Sequence, residues 1–350
     1  MQIEWQTFTV HKRVPLTISR GTHASSTNLW LRLSAERIEG WGEATPFSIG
    51  NKTQPVETIA AELTQIRADL ERLHPLQHQA IADLMQAASL SLAARTALDV
   101  ALHDWLGKRV GLPLWQLWGL ERDRIGPTAV TIGIDSPSAA VERLQDWLAL
   151  FPARSIKVKL GSPAGIEADR FMMNALLENI PPQTKVSIDA NGGWTLAEAV
   201  KMSDWLAERG VAYLEQPLAA ERLTEFAALY QRSPLPIFAD ESCFSSQDIP
   251  RLADCVHGIN IKLMKAGGLS EVRRMIAVAR AFKLQVMFGC YSDSILSNTA
   301  LAHLAPLADH LDLDSHLNLK NDPFQGASLN NSCLYPNLKP GLGVIHALKP

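Results

Sequence analysis

Three times in the middle of the chain a strand-like apolar run ends in an acid: Lys185-Val-Ser-Ile-Asp189, Val211-Ala-Tyr-Leu-Glu215 and Pro236-Ile-Phe-Ala-Asp240. After the first of these, Gly192-Gly193 gives way to a helical pattern from Thr195. That order of strand, polar end and helix is the grammar of βα units whose polar residues gather at the C-terminal mouth of a parallel sheet. Acids make up 36 of 350 residues, so three such endings coincide by chance only roughly once in a thousand. Three carboxylates at one mouth repel one another unless a divalent cation neutralises them. Oxygen donors with no His or Cys among them suit Mg²⁺, and Asp189, Glu215 and Asp240 are the predicted ligands of one ion per subunit.

The surrounding texture supports a ring of such units. Strands are expected near 128–134, 155–160, 185–190, 211–216, 236–240, 257–262, 284–289 and 309–314, each but the last followed by a helix-like segment. Eight strands at nearly regular steps indicate an α/β fold of the (β/α)₈ type. Residues 1–125 read differently. Gln2 to Val10 and Asn28 to Leu33 alternate like strands, while Ser19 to Ser26 is polar and small and reads as a mobile loop. Gly40-Trp-Gly-Glu-Ala-Thr-Pro46 reads as a second loop. Val56 to Leu73 and Ser89 to Lys108 carry helical periodicity, the latter closed by Gly111 and Pro113. His103 and Asp104 on that helix are read as packing or surface groups. The expected organisation is an α+β capping domain over 1–125, a barrel over 126–322 and a tail over 323–350 that returns to the cap.

Composition narrows the function. A net charge of -3 without a basic stripe argues against nucleic acid. No apolar run of membrane-spanning length and no secretory signal is visible. The cysteines Cys243, Cys255, Cys290 and Cys333 have no metal spacing and read as thiols of a cytoplasmic protein. The expected partner is a small molecule, and the expected assembly a homo-oligomer.

Position around the ring then becomes informative. The three acids close neighbouring strands. Strand 2 ends in Lys157-Val-Lys159 and strand 6 in Asn260-Ile-Lys262, four strands apart and therefore facing each other. Residues two apart share a strand face, so Lys157 and Lys159 point inward together. Strand 8 ends in another same-face pair, Asp312 and Asp314.

These motifs together resemble the muconate-lactonizing subgroup of the enolase superfamily. The Lys-x-Lys pair, Asp189-Ala-Asn191, Glu215-Gln-Pro217, Asp240-Glu241-Ser242 and Asn260-Ile-Lys262-Leu-Met-Lys265-Ala-Gly-Gly268 carry the resemblance, which covers nearly the whole chain. Asp312-Leu-Asp314 is similar to the motif of its dipeptide epimerases, of which the L-Ala-D/L-Glu enzymes are the type. The resemblance implies a capping domain over a (β/α)₇β barrel and a Mg²⁺-dependent epimerase acting on the C-terminal residue of a dipeptide. It also implies Lys159 and Lys262 as the two acid/bases, supported by Lys157, Asn191, Glu241 and Lys265. Asp312 and Asp314 would hold the free ammonium, Arg20 a glutamate carboxylate, and Cys290 would lie at the pocket floor. Gly289-Cys290-Tyr291-Ser292-Asp293 departs from the subgroup, which more often has Met after this position and Glu further on.

The chemistry suits these parts. Removing a proton beside a carboxylate builds charge on its oxygens, which a cation stabilises. A lysine acts as the base once its pKa falls toward the working pH, as a neighbouring ammonium and the cation encourage. An o-succinylbenzoate synthase or N-acylamino-acid racemase of the same subgroup is the alternative. A barrel that binds metal and ligand without turnover is a third reading, and one that has no need of paired lysines.

Overall fold

The structure, a computed structural model, describes residues 1–49 and 52–347, so Gly50, Asn51 and the last three residues of the expected tail lie outside the described residues. The chain opens with β1 (Gln2–Ile18), β2 (Gly21–Ala35) and β3 (Ile38–Ala44), an antiparallel sheet in that order. β4 (Phe47–Ile49) and β5 (Lys52–Gln54) pair antiparallel beside it. Three helices follow, α1 (Val56–Glu71), α2 (His78–Ala87) and α3 (Leu92–Val110), then the single turn α4 (Leu114–Leu117).

Two stretches expected as loops are strands. Ser19 to Ser26 forms the turn and one arm of the β1–β2 hairpin. Residues 21–25 of the returning arm are exposed throughout, and the hairpin carries hydroxyl pairs, Thr17 with Thr22 and Thr9 with Thr27, both at 2.9 Å. No apolar alternation is needed there, which is why its composition reads as loop. Gly40 and Gly42 lie inside β3 because α3 presses onto the sheet. A Cβ at Gly42 would stand 1.9 Å from the Ala97 carbonyl, and one at Gly40 2.1 Å from that of Ala101. Ser91 caps α3, accepting the Ala94 amide, and Gly111 ends it at φ 77.

The second layer is a parallel sheet of eight strands in chain order. They are β6 (Val130–Ile132), β7 (Ser155–Lys159), β8 (Lys185–Asp189), β9 (Leu214–Glu215), β10 (Ile237–Ala239), β11 (Gly258–Lys262), β12 (Gln285–Gly289) and β13 (His310–Leu311). The ring closes where Thr128 bridges Leu311 and the Ala129 amide donates to the Leu311 carbonyl at 2.8 Å. The connecting helices are α5 (Pro137–Leu150), α6 (Ile166–Leu177), α7 (Leu196–Ala207), α8 (Leu223–Tyr230), α9 (Ile249–Leu252), α10 (Leu263–Ala266), α11 (Leu269–Ala281) and α12 (Ile295–Ala302). Their apolar faces cover strands that are buried on both sides, as in other parallel sheets. Among the described residues no helix follows β13 except a 3₁₀ turn, Ser315–Asn318.

The remaining chain returns to the N-terminal sheet. His346 stacks on Trp41 at 5.3 Å, and buried Asp104 accepts both the Trp41 amide (2.9 Å) and the Leu342 amide (2.7 Å). Asp104 and His103, read from sequence as packing or surface groups, are both buried. Acids from the first layer also cap barrel helices. Glu43 accepts the Ser294 and Ser297 amides and hydroxyls at the start of α12, and Asp99 accepts the Ser270 amide at the start of α11. A carboxylate there meets unpaired amides and the positive end of the helix dipole. Among the described residues no helix is long and apolar enough to cross a membrane.

Candidate active site

Register places the site. Lys159 on β7 lies opposite Asp189 on β8, and Asp189 opposite Glu215 on β9. Asp240 follows β10 directly. Asp189, Glu215 and Asp240 are fully buried, and each offers an oxygen within 4.8 Å of the others. Gly161 permits the close approach of the strand ends, since a Cβ there would sit 2.5 Å from the Ala190 carbonyl. Just past β8 and β9 the chain turns through left-handed residues, Asn191 at φ 44 and Gln216 at φ 36. Local hydrogen bonds offset that strain. Asn191 donates its amide to Asp189 Oδ1 at 2.8 Å, and Gln216 Oε1 accepts the Asp240 amide at 2.8 Å.

Each acid has its own lysine. Lys159 Nζ meets Asp189 Oδ2 at 2.5 Å, and Lys262 Nζ meets Asp240 Oδ2 at 2.8 Å. Lys157, entirely buried, bridges Glu215 Oε2 at 2.5 Å and Asp312 Oδ2 at 2.6 Å. Lys265 sits in α10 and is also fully buried. Its ammonium is occupied by the Asp240 carbonyl, Asp240 Oδ1 (2.6 Å) and the Asn260 carbonyl (3.0 Å). Since β7 and β11 bracket β8, β9 and β10, Lys159 and Lys262 flank the three carboxylates from either side.

The electrostatics match a site built for a cation. Burial and the Asp189 charge push Glu215 up to about 7. Asp240 goes the other way: burial raises it, but Lys262 and Lys265 together hold it well below the carboxylate range. Three buried hard-oxygen donors, one of them forced toward the neutral form, suit a divalent cation that would take up their charge. Lys262 contradicts the expected fall in lysine pKa. Burial lowers it, yet Asp240, Tyr291 and Glu241 outweigh burial and hold it well above its usual value. The first of these, Asp240, is also one of the three carboxylates a cation would neutralise.

The opposite wall belongs to β13 and the cap. Asp312 and Asp314 are buried, with Thr131 donating its hydroxyl to Asp312 (3.2 Å) and its amide to Asp314 (2.7 Å). Burial and the Asp312 charge raise Asp314 to about 6. Cys290 donates its thiol to the Asp312 carbonyl at 3.2 Å, and lines a small cavity with Lys159, Asp312 and Asp314. Arg20, at the hairpin turn, reaches the barrel mouth. Its guanidinium meets Glu241 Oε1 at 2.8 Å and the Asn191 carbonyl at 3.0 Å, beside a cavity of about 530 Å³. Glu241 also accepts from the Asn191 side chain at 3.2 Å and stands outside the three-carboxylate group.

Several residues here escaped the sequence reading as site members. Asn260 donates to Glu215 at 2.6 Å and so aims that carboxylate. Gln216 ties two strand ends together. Tyr291 lies 4.6 Å below the Lys262 ammonium and stacks flat on Phe47 of β4 at 5.2 Å. Lys12 of β1 lines the cavity that holds Asp314. Asn260 and Gln216 fall inside the strand-end motifs and were legible by position. Lys12 and Phe47 depend on how the cap docks, and nothing local marks them.

Known proteins resemble this chain along nearly its whole length. Residues 2–119 match the model of the mandelate racemase/muconate lactonizing enzyme N-terminal domain, and residues 139–346 match the enolase C-terminal domain-like model. A hydrophobic dipeptide epimerase from Roseobacter litoralis is 43% identical over 348 residues, covering 98% of each chain. A second enzyme of that name, from a Flavobacteria bacterium, is 40% identical over 344 residues, covering 98% of this chain and 97% of its own. Among solved structures, the dipeptide epimerase from Enterococcus faecalis complexed with Mg and L-Leu-L-Tyr is 30% identical, covers 99% of both chains and superposes with a TM-score of 0.89. With both domain models matched and relatives similar from end to end, the chain belongs to the mandelate racemase/muconate lactonizing enzyme family of enolase-like proteins.

Proposed function

We propose that this protein is a Mg²⁺-dependent dipeptide epimerase, an isomerase that inverts the α-carbon of the second residue. The observation that carries the reading is the placement of Lys159 and Lys262 on strands bracketing one buried three-carboxylate group. Similarity to relatives named as dipeptide epimerases supports it. Asp189, Glu215 and Asp240 would hold the ion, which when bound supplies positive charge beside the substrate carboxylate, where negative charge develops. Lys159 and Lys262 then face the two sides of the α-carbon. One takes the proton and the other returns one to the opposite face. Lys157, Lys265 and Asn260 fix the acids, Asn191 and Glu241 brace the mouth, and Asp312 with Asp314 receives the substrate's free ammonium above Cys290.

A hydrophobic second residue is favoured over glutamate. Arg20 already pairs with Glu241, and the wall beside Lys262 is aromatic, built from Tyr291 and Phe47. If Arg20 were released from Glu241 it would become available to an acidic side chain, the L-Ala-D/L-Glu case. The domain reading of cap 1–125, barrel 126–322 and returning tail 323–350 is supported by the stacking of His346 on Trp41 of the N-terminal sheet. A cytoplasmic location is supported by the free thiols of all four cysteines. A homo-oligomer is supported by exposed Leu150 and Phe171 on α5 and α6.

The test is a panel of dipeptides in D₂O with Mg²⁺, read by mass and chiral chromatography. Deuterium at the second α-carbon with inversion, strongest for apolar second residues and lost on chelation, is expected. Equal turnover of N-acylated substrates would favour the racemase alternative, and no exchange in any substrate would refute the epimerase reading.

A further inference from the structure

Lys12 is a buried cation without an obvious structural employer. Strand β1 pairs with β2 as far as His11 and resumes at Leu16. Between them the chain turns to the barrel. Lys12 bridges Leu319, and Val14 exchanges hydrogen bonds with the Asn318 side chain at 3.1 and 2.8 Å. An irregularity of this kind re-aims a side chain, and Lys12 is only 8% exposed as a result. Among the described residues its hydrogen-bond acceptor is the neutral Ser292 hydroxyl, at 2.5 Å. Burial lowers its pKa; Cys290, Asp314 and Asp293 act the other way, and neither aspartate stands within ion-pair distance. A desolvated ammonium held by one hydroxyl is costly, so a fixed position invites an anionic partner from outside the chain.

The neighbourhood says which part of a substrate that partner would be. Lys12 lines a cavity of about 60 Å³ together with Leu16, Lys159, Asp312 and Asp314. A second cavity of about 270 Å³ shares Leu16, Thr131 and Asn318 with it and adds Arg143, along with Asp135, Glu142 and Asp146 at its outer side. Among the described residues, the cation that no acid pairs in this corner is therefore Lys12 and not Arg143, which lies 3.9 Å from Asp146. Arg143 donates to Asn318 at 3.1 Å and lies 4.1 Å over Trp147. Asp312 is already matched by Lys157, whereas among the described residues no lysine or arginine stands within ion-pair distance of Asp314. A substrate ammonium placed on Asp314 leaves the first residue's side chain in this corner, between Lys12 and Arg143.

We infer that Lys12 is a specificity-determining residue for the first position of the dipeptide, selecting an acidic side chain over a neutral one and rejecting a cationic one. The inference rests on the epimerase reading above. A charge-assisted hydrogen bond in a buried site changes affinity by about tenfold or more, so the order L-Glu-L-Leu, L-Gln-L-Leu, L-Lys-L-Leu in falling kcat/KM is expected, with about tenfold at each step.

The experiment measures kcat/KM for these three dipeptides and L-Ala-L-Leu, by deuterium uptake, with the natural protein and with Lys12→Met. In the variant the ratio of L-Glu-L-Leu to L-Lys-L-Leu should collapse by about a hundredfold. A charge-independent series in the natural protein overturns the inference without touching the epimerase reading, and needs no variant to fold. A proportionate loss on all four substrates in Lys12→Met also overturns it, since that marks a role in packing. Absence of exchange in every dipeptide overturns both.

Discussion

The two walls of the barrel mouth are built on different principles. On the β8–β10 side, Asp189, Glu215 and Asp240 are each fully buried and stand where a parallel strand ends, with a lysine from the barrel upon it. On the β13 side, the acids Asp312 and Asp314 share their space with Lys12, brought by β1 of the cap. The first wall is fixed by strand register, so its geometry cannot vary without moving the sheet. The second depends on how one domain sits on the other. Chemistry is thus assigned to the rigid partner and selection to the docked one, a division that lets specificity change while the reaction is kept.

The largest effect is expected on the register-built wall. Asp240→Asn should lower epimerisation by about three orders of magnitude or more. It should also abolish the rise in melting temperature that Mg²⁺ gives the natural protein. Retention of either would separate Asp240 from the metal. On the other wall, Asp314→Asn should raise KM for free dipeptides by about ten- to a hundredfold through loss of a charge-assisted contact. A matching fall in kcat with KM unchanged would instead place Asp314 among the reacting groups and erase the distinction between the walls.

How much of each wall could be read in the sequence follows the same division. Asp189, Glu215 and Asp240 were legible because a parallel strand buried on both faces reads as a short apolar run, and an acid closes each run. Lys157 and Lys159 followed from the two-residue period. Lys12 was not legible: its entry depends on a break in β1 pairing that is completed by Asn318 and Leu319, three hundred residues away in the chain. The stretch from Ser19 to Ser26 misled because residues 21–25 are exposed throughout, so nothing imposes an apolar alternation on that part of the strand. Gly40 and Gly42 misled for the converse reason, since helix proximity and not a turn requires them.

The seam between the domains gives two smaller tests. Glu43→Ala would strip the acceptor from two amides, two hydroxyls and the Asn28 side chain. Unfolding free energy should fall by about 3 kcal/mol, measured by denaturant titration, and KM should rise more than kcat falls. A stable variant with unchanged KM would mean that cap docking does not govern selection. Asp322, which accepts the Ile295 amide at 2.6 Å, is pushed up to about 7 by burial. Its folded-state pKa lies above the unfolded one, so the folded chain binds the extra proton between roughly pH 4 and 7. Stability should therefore decline as pH rises through that window, by at most about 1.4 kcal/mol per unit from this group. Asp322→Asn should remove that component, and identical slopes in the two proteins would assign the pH dependence elsewhere.

The central claim is that Lys159 and Lys262 address opposite faces of one α-carbon, and isotope exchange tests it most directly. Lys159→Ala and Lys262→Ala should each lose epimerisation by about 10²–10⁴ or more. In D₂O with Mg²⁺, however, each variant should still exchange the α-proton of one epimer of L-Ala-Leu, following the lysine that remains. The expected result is opposite selectivity, one variant washing out the L-epimer of the second residue and the other the D-epimer. If both variants exchange the same epimer, one lysine acts only through its charge and the two-sided site is wrong.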